Sequence, residues 1–519
     1  MNTLTDRHVL ILGLGASGLA MARWCARQGA RVSVWDSRET PPQAAGLAEL
    51  AERSPQVQRL SGALTAQALH GIHWVLKSPG LAPHDERIAA LWSAATAQGV
   101  RTGGELDLFV LALAELKAND AYSPQVLAIT GTNGKTTTTA LTALLVERAG
   151  RTAVAAGNIG PSMLDSLSSC LDQPTLPQVW VLELSSFQLA DLAAQPVAES
   201  GFAPNAAVVL NISQDHLDWH GSLPAYAAAK ARVYGPQTAL VINRDDTLVR
   251  AMEPAPAAVK LPKGAPKPVL RQVIRYGLTT PQQPGDFGLV EEGGMAWLVR
   301  AMPVDETQRR RKGEEAEELH LQRLMPADAL RLRGRHNAGN ALAALALATA
   351  IGCPLAPMLH GLREYRGEPH RLEFVARIGD VEAYDDTKGT NVGATVAAIN
   401  GLGAERAPSK LVLILGGDGK GQSFDDLAEP VSRHVRAVAL IGRDAQAIRA
   451  ALHGTAVALQ DHATLEAATA WCFEQAQAGD AVVLSPACAS LDMFRNYVHR
   501  GEVFVQAVKR LAADKGALS

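Results

Sequence analysis

The stretch AITGTNGK, Ala128 to Lys135, ends in a lysine that is followed by four threonines and an apolar helical run. A lysine behind a glycine turn at the mouth of a helix suits phosphate chemistry. The first N–H groups of a helix are unpaired and carry the positive end of its dipole, so an anion there gains hydrogen bonds and field together. Lys135 would add a point charge for terminal phosphates, and the Thr136 hydroxyl suits a magnesium ion. The loop Gly131, Thr132, Asn133, Gly134, Lys135, Thr136, Thr137 is shorter than a full Walker A pattern, whose first glycine would fall at Ile129.

Further polar residues stand at the ends of apolar runs. Ala153 to Ala156 leads to Gly157 and Asn158, Val179 to Leu182 leads to Glu183 and Ser185, and Ala207 to Leu210 leads to Asn211, Asp215 and His216. In an open parallel sheet ligands bind beyond the carboxyl ends of the strands, so the phosphate loop, Glu183 and His216 are expected to face one crevice. A carboxylate after a buried strand beside a phosphate loop is where magnesium is held. His216 and His220 have helical i, i+4 spacing, which suits zinc, but no third ligand is spaced to join them. Magnesium is the ion a nucleotide would bring. On helix periodicity alone, Lys230, in the helical stretch 225–234, reads as a surface lysine.

The elements that must position these groups are strand–turn–helix units. His8 to Leu12 precedes Gly13, Gly15 and Gly18 at G-x-G-x-x-G spacing, and the strand Val32 to Trp35 ends in Asp36, a place where a carboxylate usually holds a ribose. Trp74 to Leu76 runs into Lys77, Ser78, Pro79 and Gly80, a turn at a third strand end. A third unit begins near Gly367. In it Val381 to Tyr384 leads to the DDTKGTN segment, Leu411 to Leu415 leads to GGDGK, and Ala481 to Leu484 leads to SPACASLDMF. Gly421 follows Lys420 where a metal-binding Ser/Thr would stand, so this turn is no second P-loop.

The pattern predicts an α/β protein of three domains: residues 1–118, 119–366 with an insertion at about 254–322, and 367–519. The first boundary falls in the polar segment 117–124. Within the insertion, 254–268 is proline-rich, and Arg309 to Lys312 lie beside Glu314, Glu315, Glu317 and Glu318, which reads as a solvated, partly mobile stretch. At 519 residues the chain is too long for one core; its net charge of -3, 47% hydrophobic and 5% aromatic content are those of an ordinary globular protein. Nothing is basic enough for nucleic acid, and no run is long enough for a membrane span. Five scattered cysteines without a C-x-x-C pair argue for a reducing compartment, hence a cytoplasmic protein.

Taken in order, TGTNGKT, GNIG, ELSSFQL, NISQDHLDWHG, AAAK, GRHNAGNALAA, PHR, DDTKGTN, LGGDGK and SPACASLDMF resemble the Mur ligases, ATP-dependent enzymes of peptidoglycan synthesis that join amino acids to a UDP-linked sugar peptide. GLGASG together with SPACASLDMF looks most like the members that add D-glutamate to UDP-N-acetylmuramoyl-L-alanine. The resemblance spans nearly the whole chain, and the insertion departs from the usual length.

The resemblance implies a Rossmann-like UDP-binding domain, a central P-loop ATPase-type parallel-sheet domain and a Rossmann-like C-terminal domain. Gly15, Ala16 and Ser17 would lie near the UDP diphosphate, with Asp36, Ser37, Arg38, Ser78, Pro79 and Gly80 around it and Asn158 facing the substrate. Gly131 to Thr137, Asn337, Asn340, Arg371 and Asp386 would bind ATP. Thr136 and Glu183 would hold one of two magnesium ions, and His216 and Lys230, the latter as a carbamate, would serve the second. Lys135, His216, Lys230 and Lys388 would act in catalysis, and Thr390, Lys420, Ser490 and Phe494 would form a D-glutamate pocket in a monomeric enzyme. An NAD(P)-dependent oxidoreductase would account for GLGASG and Asp36 but leaves Lys135 and Glu183 unexplained. A nucleotide-binding regulatory protein and a folylpolyglutamate-type or other Mur ligase remain as alternatives.

Overall fold

The computed structural model describes residues 3–192, 201–254, 271–304, 319–332 and 334–514. The charged run Arg309 to Glu318 and most of the proline-rich segment lie outside the described residues. Apolar strands buried on both faces dictate three sheets, each covered by helices.

The first sheet has the parallel order Val57–Leu60, Arg31–Trp35, His8–Leu12, Trp74–Lys77, Arg101–Gly103. Its direction of winding reverses between His8–Leu12 and Trp74–Lys77, so the glycine turn after Leu12 and the turn after Lys77 open a crevice together. Gly18 is needed for the tight return of the chain: a Cβ there would stand 2.0 Å from the Gly13 carbonyl oxygen.

The central sheet has nine strands. Its parallel part is ordered Phe287–Glu292, Val273–Tyr276, Ala239–Asn243, Ala206–Val209, Gln125–Thr130, Val179–Glu183, Ala153–Gly157. The strand that feeds the phosphate loop, Gln125–Thr130, sits between the strands ending in Val209 and Glu183. Helix Arg335–Ala350 packs against helix Lys135–Arg148 and is apolar around nearly its whole circumference, which suits its alanine- and leucine-rich sequence.

The described part of the insertion forms strands. Phe287–Glu292, Met295–Pro303 and Leu319–Pro326 extend the central sheet as an antiparallel ribbon. Gly293 and Gly294, both at positive φ, make the two-residue turn that pairs Glu292 with Met295. Helix Glu105–Asp120 runs through the first half of the polar segment 117–124 and ends at Ala121 in the left-handed region.

The third sheet is ordered Glu373–Ile378, Val381–Asp385, Ala481–Leu484, Leu411–Gly416, Val435–Ile441, Ala458–Asp461, with the first strand antiparallel. The last strand in sequence is inserted between two earlier ones, so the turns after Asp385, Gly416 and Leu484 are neighbours.

Candidate functional site

The first domain holds a cavity of about 430 Å3 at its switch point, lined by Gly15, Ala16, Ser17, Asp36, Ser37, Arg38, Ser78, Pro79, Gly80 and Arg87. The twelve-residue helix Ala16–Arg27 starts in its wall and offers unpaired N–H groups to an anion. Asp36 is turned inward. Its carboxylate accepts from Leu14 N at 2.7 Å, from Arg38 N at 2.9 Å and from the Arg38 guanidinium, which holds it well below the usual carboxylate range. Asp36 therefore fastens the glycine turn and aims Arg38. The Ser78 hydroxyl donates to Gly13 O at 2.9 Å and ties the third wall to the first.

Arg87 was not legible in the sequence, since it follows a proline turn with no motif of its own. Asp85 holds its guanidinium, and its Nη1 donates to Ser37 Oγ at 2.9 Å. We expect Arg87→Ala to raise the KM for the nucleotide-linked substrate about tenfold, as for a lost charge-assisted bond, and to leave the KM for ATP unchanged. Steady-state kinetics with each substrate varied in turn would check this.

In the central domain Gly134 has φ +84, and a Cβ there would come within 2.5 Å of Asn340 Oδ1. The left-handed backbone favours glycine here, and the close approach adds to it. Lys135 folds back over the loop, its ammonium donating to Gly131 O and Thr132 O, each at 2.8 Å. Removal from water pushes its pKa down, opposed by Glu183 and Asp215.

Glu183 is buried, with Oε1 accepting from Asn158 Nδ2 at 2.6 Å and Oε2 without a hydrogen-bond partner. A buried carboxylate oxygen left unpaired is costly, and a cation satisfies it. The chemistry of this donor set, with Thr136 in the first turn of helix Lys135–Arg148, therefore fits magnesium.

Lys230 is the main correction to helix periodicity. It lies on helix Leu223–Ala231 and is only 1% exposed. Its Nζ donates to Gly131 O at 2.8 Å and lies 4.6 Å from the centroid of the Tyr226 ring. Burial, reinforced by the Lys135 charge, pushes its pKa well below the ordinary lysine value.

His216 caps the short helix Leu217–His220 in the left-handed region, its Nε2 3.5 Å from Asp215 Oδ2. Burial lowers its pKa to about 4, so near neutral pH it carries a free nitrogen lone pair. His220 is instead engaged with Ser186 Oγ at 3.0 Å.

A cavity of about 360 Å3 opens beside the loop, between Asn133, Asn211, Asn243, Tyr276, Leu278, His336 and Asn340. It has the amide edges and apolar walls suited to a purine. Asn340 reaches this cavity. Asn337, which accepts from Asn340 Nδ2 at 3.0 Å, does not line it; it lines a smaller space shared with Thr137, Arg371, Asp386 and Lys388 and a larger cavity of about 840 Å3 shared with Arg366, Glu368 and Arg371. Asn243, at the end of the strand before the insertion, and Tyr276 and Leu278, within it, were not singled out from the sequence.

The third domain reaches into this site. Arg371 Nη2 donates to Thr136 Oγ1 at 2.7 Å, and Asn391 exchanges bonds of 3.2 and 3.0 Å with Asn133. Asp386 accepts from Ser485 Oγ at 2.7 Å, and burial raises its pKa to about 7. The Lys388 ammonium lies 3.7 Å from the centroid of the Tyr497 ring. Lys420 Nζ is 3.5 Å from Asp215 Oδ1, across the interface with the central domain.

Thr390, Lys420 and Ser490 stand on three turns that touch: Ala487 N donates to Gly389 O at 2.9 Å, and Asp418 pairs with Ala489. Phe494 differs from them, packing against the apolar cluster of the sheet.

Three family profiles match the chain: "Mur ligase MurD-like, N-terminal domain" over 7–103, "Mur ligase middle domain" over 129–279, and "Mur ligase, glutamate ligase domain" over 370–488. A UDP-N-acetylmuramoylalanine--D-glutamate ligase of Albidiferax ferrireducens is 59% identical, covering 100% of this chain and 99% of its own. One of Burkholderia pseudomallei is 56% identical over 98% of each. Among solved structures, the UDP-N-acetylmuramate-alanine ligase MurC of Thermotoga maritima shares the fold with a TM-score of 0.55 at 18% identity, covering 97% of this chain and 99% of its own. The MurF ligase of Thermotoga maritima in complex with ADP does so with a TM-score of 0.55 at 17% identity, covering 99% and 100%. By full-length identity, matched domains and fold, the chain belongs to the Mur ligase family.

Proposed function

We propose that the chain is an ATP-dependent ligase that adds D-glutamate to UDP-N-acetylmuramoyl-L-alanine, releasing ADP and phosphate. The observation that carries this reading is that the loops beyond all three sheets converge: the first domain offers an anion cavity, the second Lys135, Glu183, His216 and Lys230, and the third Arg371 and Lys420. No dehydrogenase needs the second set.

A carboxylate is a poor electrophile, so its oxygen first takes the γ-phosphoryl group of ATP, giving an acyl phosphate and ADP. The amine of D-glutamate then attacks the acyl carbon, phosphate leaves, and the ammonium proton is lost. Lys135 and the loop N–H groups offset the repulsion between carboxylate and γ-phosphate. Magnesium, held by Thr136 and Glu183 and at a second place by His216 and a carbamylated Lys230, would supply further charge neutralisation. His216, neutral through burial, is in the form that ligates a cation or accepts the amine proton. Arg371 and Asn391, bonded across to the loop, favour a closed arrangement that keeps water from the acyl phosphate.

The reading extends to a cytoplasmic monomer. All five cysteines are free, and no described helix is long and apolar enough to cross a membrane. A phosphate-release assay with UDP-N-acetylmuramoyl-L-alanine, ATP and a panel of amino acids tests the assignment. Release that needs D-glutamate supports it; release with L-alanine or a diamino acid instead would overturn it.

Lys420→Ala is expected to raise the KM for D-glutamate by about tenfold or more, as a carboxylate loses its charged partner. An unchanged KM would remove Lys420 from that pocket and leave it as a partner of Asp215 alone.

A further inference from the structure

Lys77 ends the strand Trp74–Lys77, a position from which a lysine ordinarily reaches water. Here its side chain is 0% exposed and that of its partner Asp191 is 3% exposed. The ammonium donates to Asp191 Oδ2 at 2.7 Å and to Leu81 O at 2.5 Å. It also lies 5.9 Å from the Trp92 ring centroid and 5.6 Å from that of Trp219. Asp107 and Arg232 are the other charged groups felt by Asp191, whose Oδ1 is buried and has no hydrogen-bond partner among the described residues. A buried pair with an orphaned oxygen is a poor device for stability, since apolar residues of similar volume often do as well or better.

The bonds show what the pair joins. Leu81 closes the turn that begins at Ser78 and lines the first-domain cavity. Asp191 ends helix Ser186–Ala190, which begins just beyond Glu183. Trp219 belongs to the short helix capped by His216 and packs on Phe187, with ring centroids 4.9 Å apart. One ammonium thus fastens the lip of the diphosphate cavity to the two segments that carry Glu183 and His216. A second buried crossing lies nearby: Glu105 accepts from Leu164 N at 3.1 Å and from the Ser17 hydroxyl, linking the cavity wall to the helix that follows the Asn158 turn.

We propose that Lys77 is a positioning residue whose pairing with Asp191 fixes the span between the diphosphate cavity and the centre that activates the carboxylate. The inference rests on the ligase reading, in which one substrate is held at its nucleotide end and reacts at the other. A directional ion pair holds a single register, whereas apolar surfaces can slide. Rate then depends on that register, because the carboxylate must meet the γ-phosphate at near-contact distance.

The test is the double variant Lys77→Met/Asp191→Leu, which removes both charges and leaves neither buried alone. Lys77→Met by itself is expected to lower Tm, and adding Asp191→Leu to restore it. The kinetics are not restored. The KM for UDP-N-acetylmuramoyl-L-alanine rises and kcat falls, each by about tenfold, less than the ~10²-fold cost of a full 1 Å misplacement, while the KM for ATP stays within about twofold. A folded double variant with wild-type KM and kcat would overturn the proposal. If the double variant does not fold, Asp191→Asn carries the test, because it keeps an oxygen for the ammonium and removes only the charge. A raised KM for the UDP substrate alone then supports the proposal, and unchanged kinetics overturn it. A wild-type enzyme that releases no phosphate from this substrate pair would instead overturn the ligase reading and this inference together.

Discussion

Lys135→Ala abolishes ATP-dependent phosphate release, with a loss of at least roughly 10²–10³-fold, the range for removing one preorganised charge donor from a transition state. Its ammonium already stands over the loop on two carbonyl oxygens, so no rearrangement of the backbone is needed to bring it to a phosphate. Binding of the UDP substrate is expected to be nearly unchanged. The cavity for that substrate is built from Gly13 to Arg87 and shares no side chain with the loop. Single-turnover phosphate release and calorimetric titration of the UDP substrate, on the same preparation, separate the two effects. A variant that keeps normal phosphate release would end the phosphate-loop reading.

The phosphate loop, Glu183 and His216 were legible because each follows a buried parallel strand, and the carboxyl ends of neighbouring strands must share a crevice. The same logic identified the turns at Gly15, Ser78, Lys388, Lys420 and Ser490. It works from local apolar runs, whose period and length survive any tertiary context. Lys230 was not legible from periodicity. Its helix reads LPAYAAAKA, and alanines on every side leave no amphipathic contrast to say which face is buried. Only the resemblance drew attention to it. Arg87, Lys77 and Asp191 escaped for a different reason. Their roles are set by partners 50 and 114 residues away, and no local pattern encodes such a meeting. The strands Phe287–Glu292 and Met295–Pro303 were not read from the sequence, although Glu292-Gly-Gly-Met295 carries a hairpin turn signal of its own.

Lys230→Ala is expected to be nearly inactive, and short carboxylic acids at high concentration to restore part of the activity. The reason lies in the burial of the amine. Carbamylation joins a neutral amine to CO₂ and releases a proton, giving an anion with two oxygens. The amine must first be neutral. Burial, with Lys135 beside it, depresses the Lys230 pKa and so raises the neutral fraction near pH 7. As an ammonium, Lys230 would repel a magnesium ion brought near Glu183 and His216, whereas the carbamate would attract one. Acetate or formate, diffusing into the space left by Ala, would return one carboxylate to that position. Enzyme equilibrated with ¹³C-bicarbonate provides a readout besides activity: a carbamate carbon resonance in the wild type that Lys230→Ala lacks. If the wild type shows no such resonance and the acids rescue nothing, Lys230 acts as a bare amine. Its bond to Gly131 O would then be its whole contribution, as a brace beneath the phosphate loop.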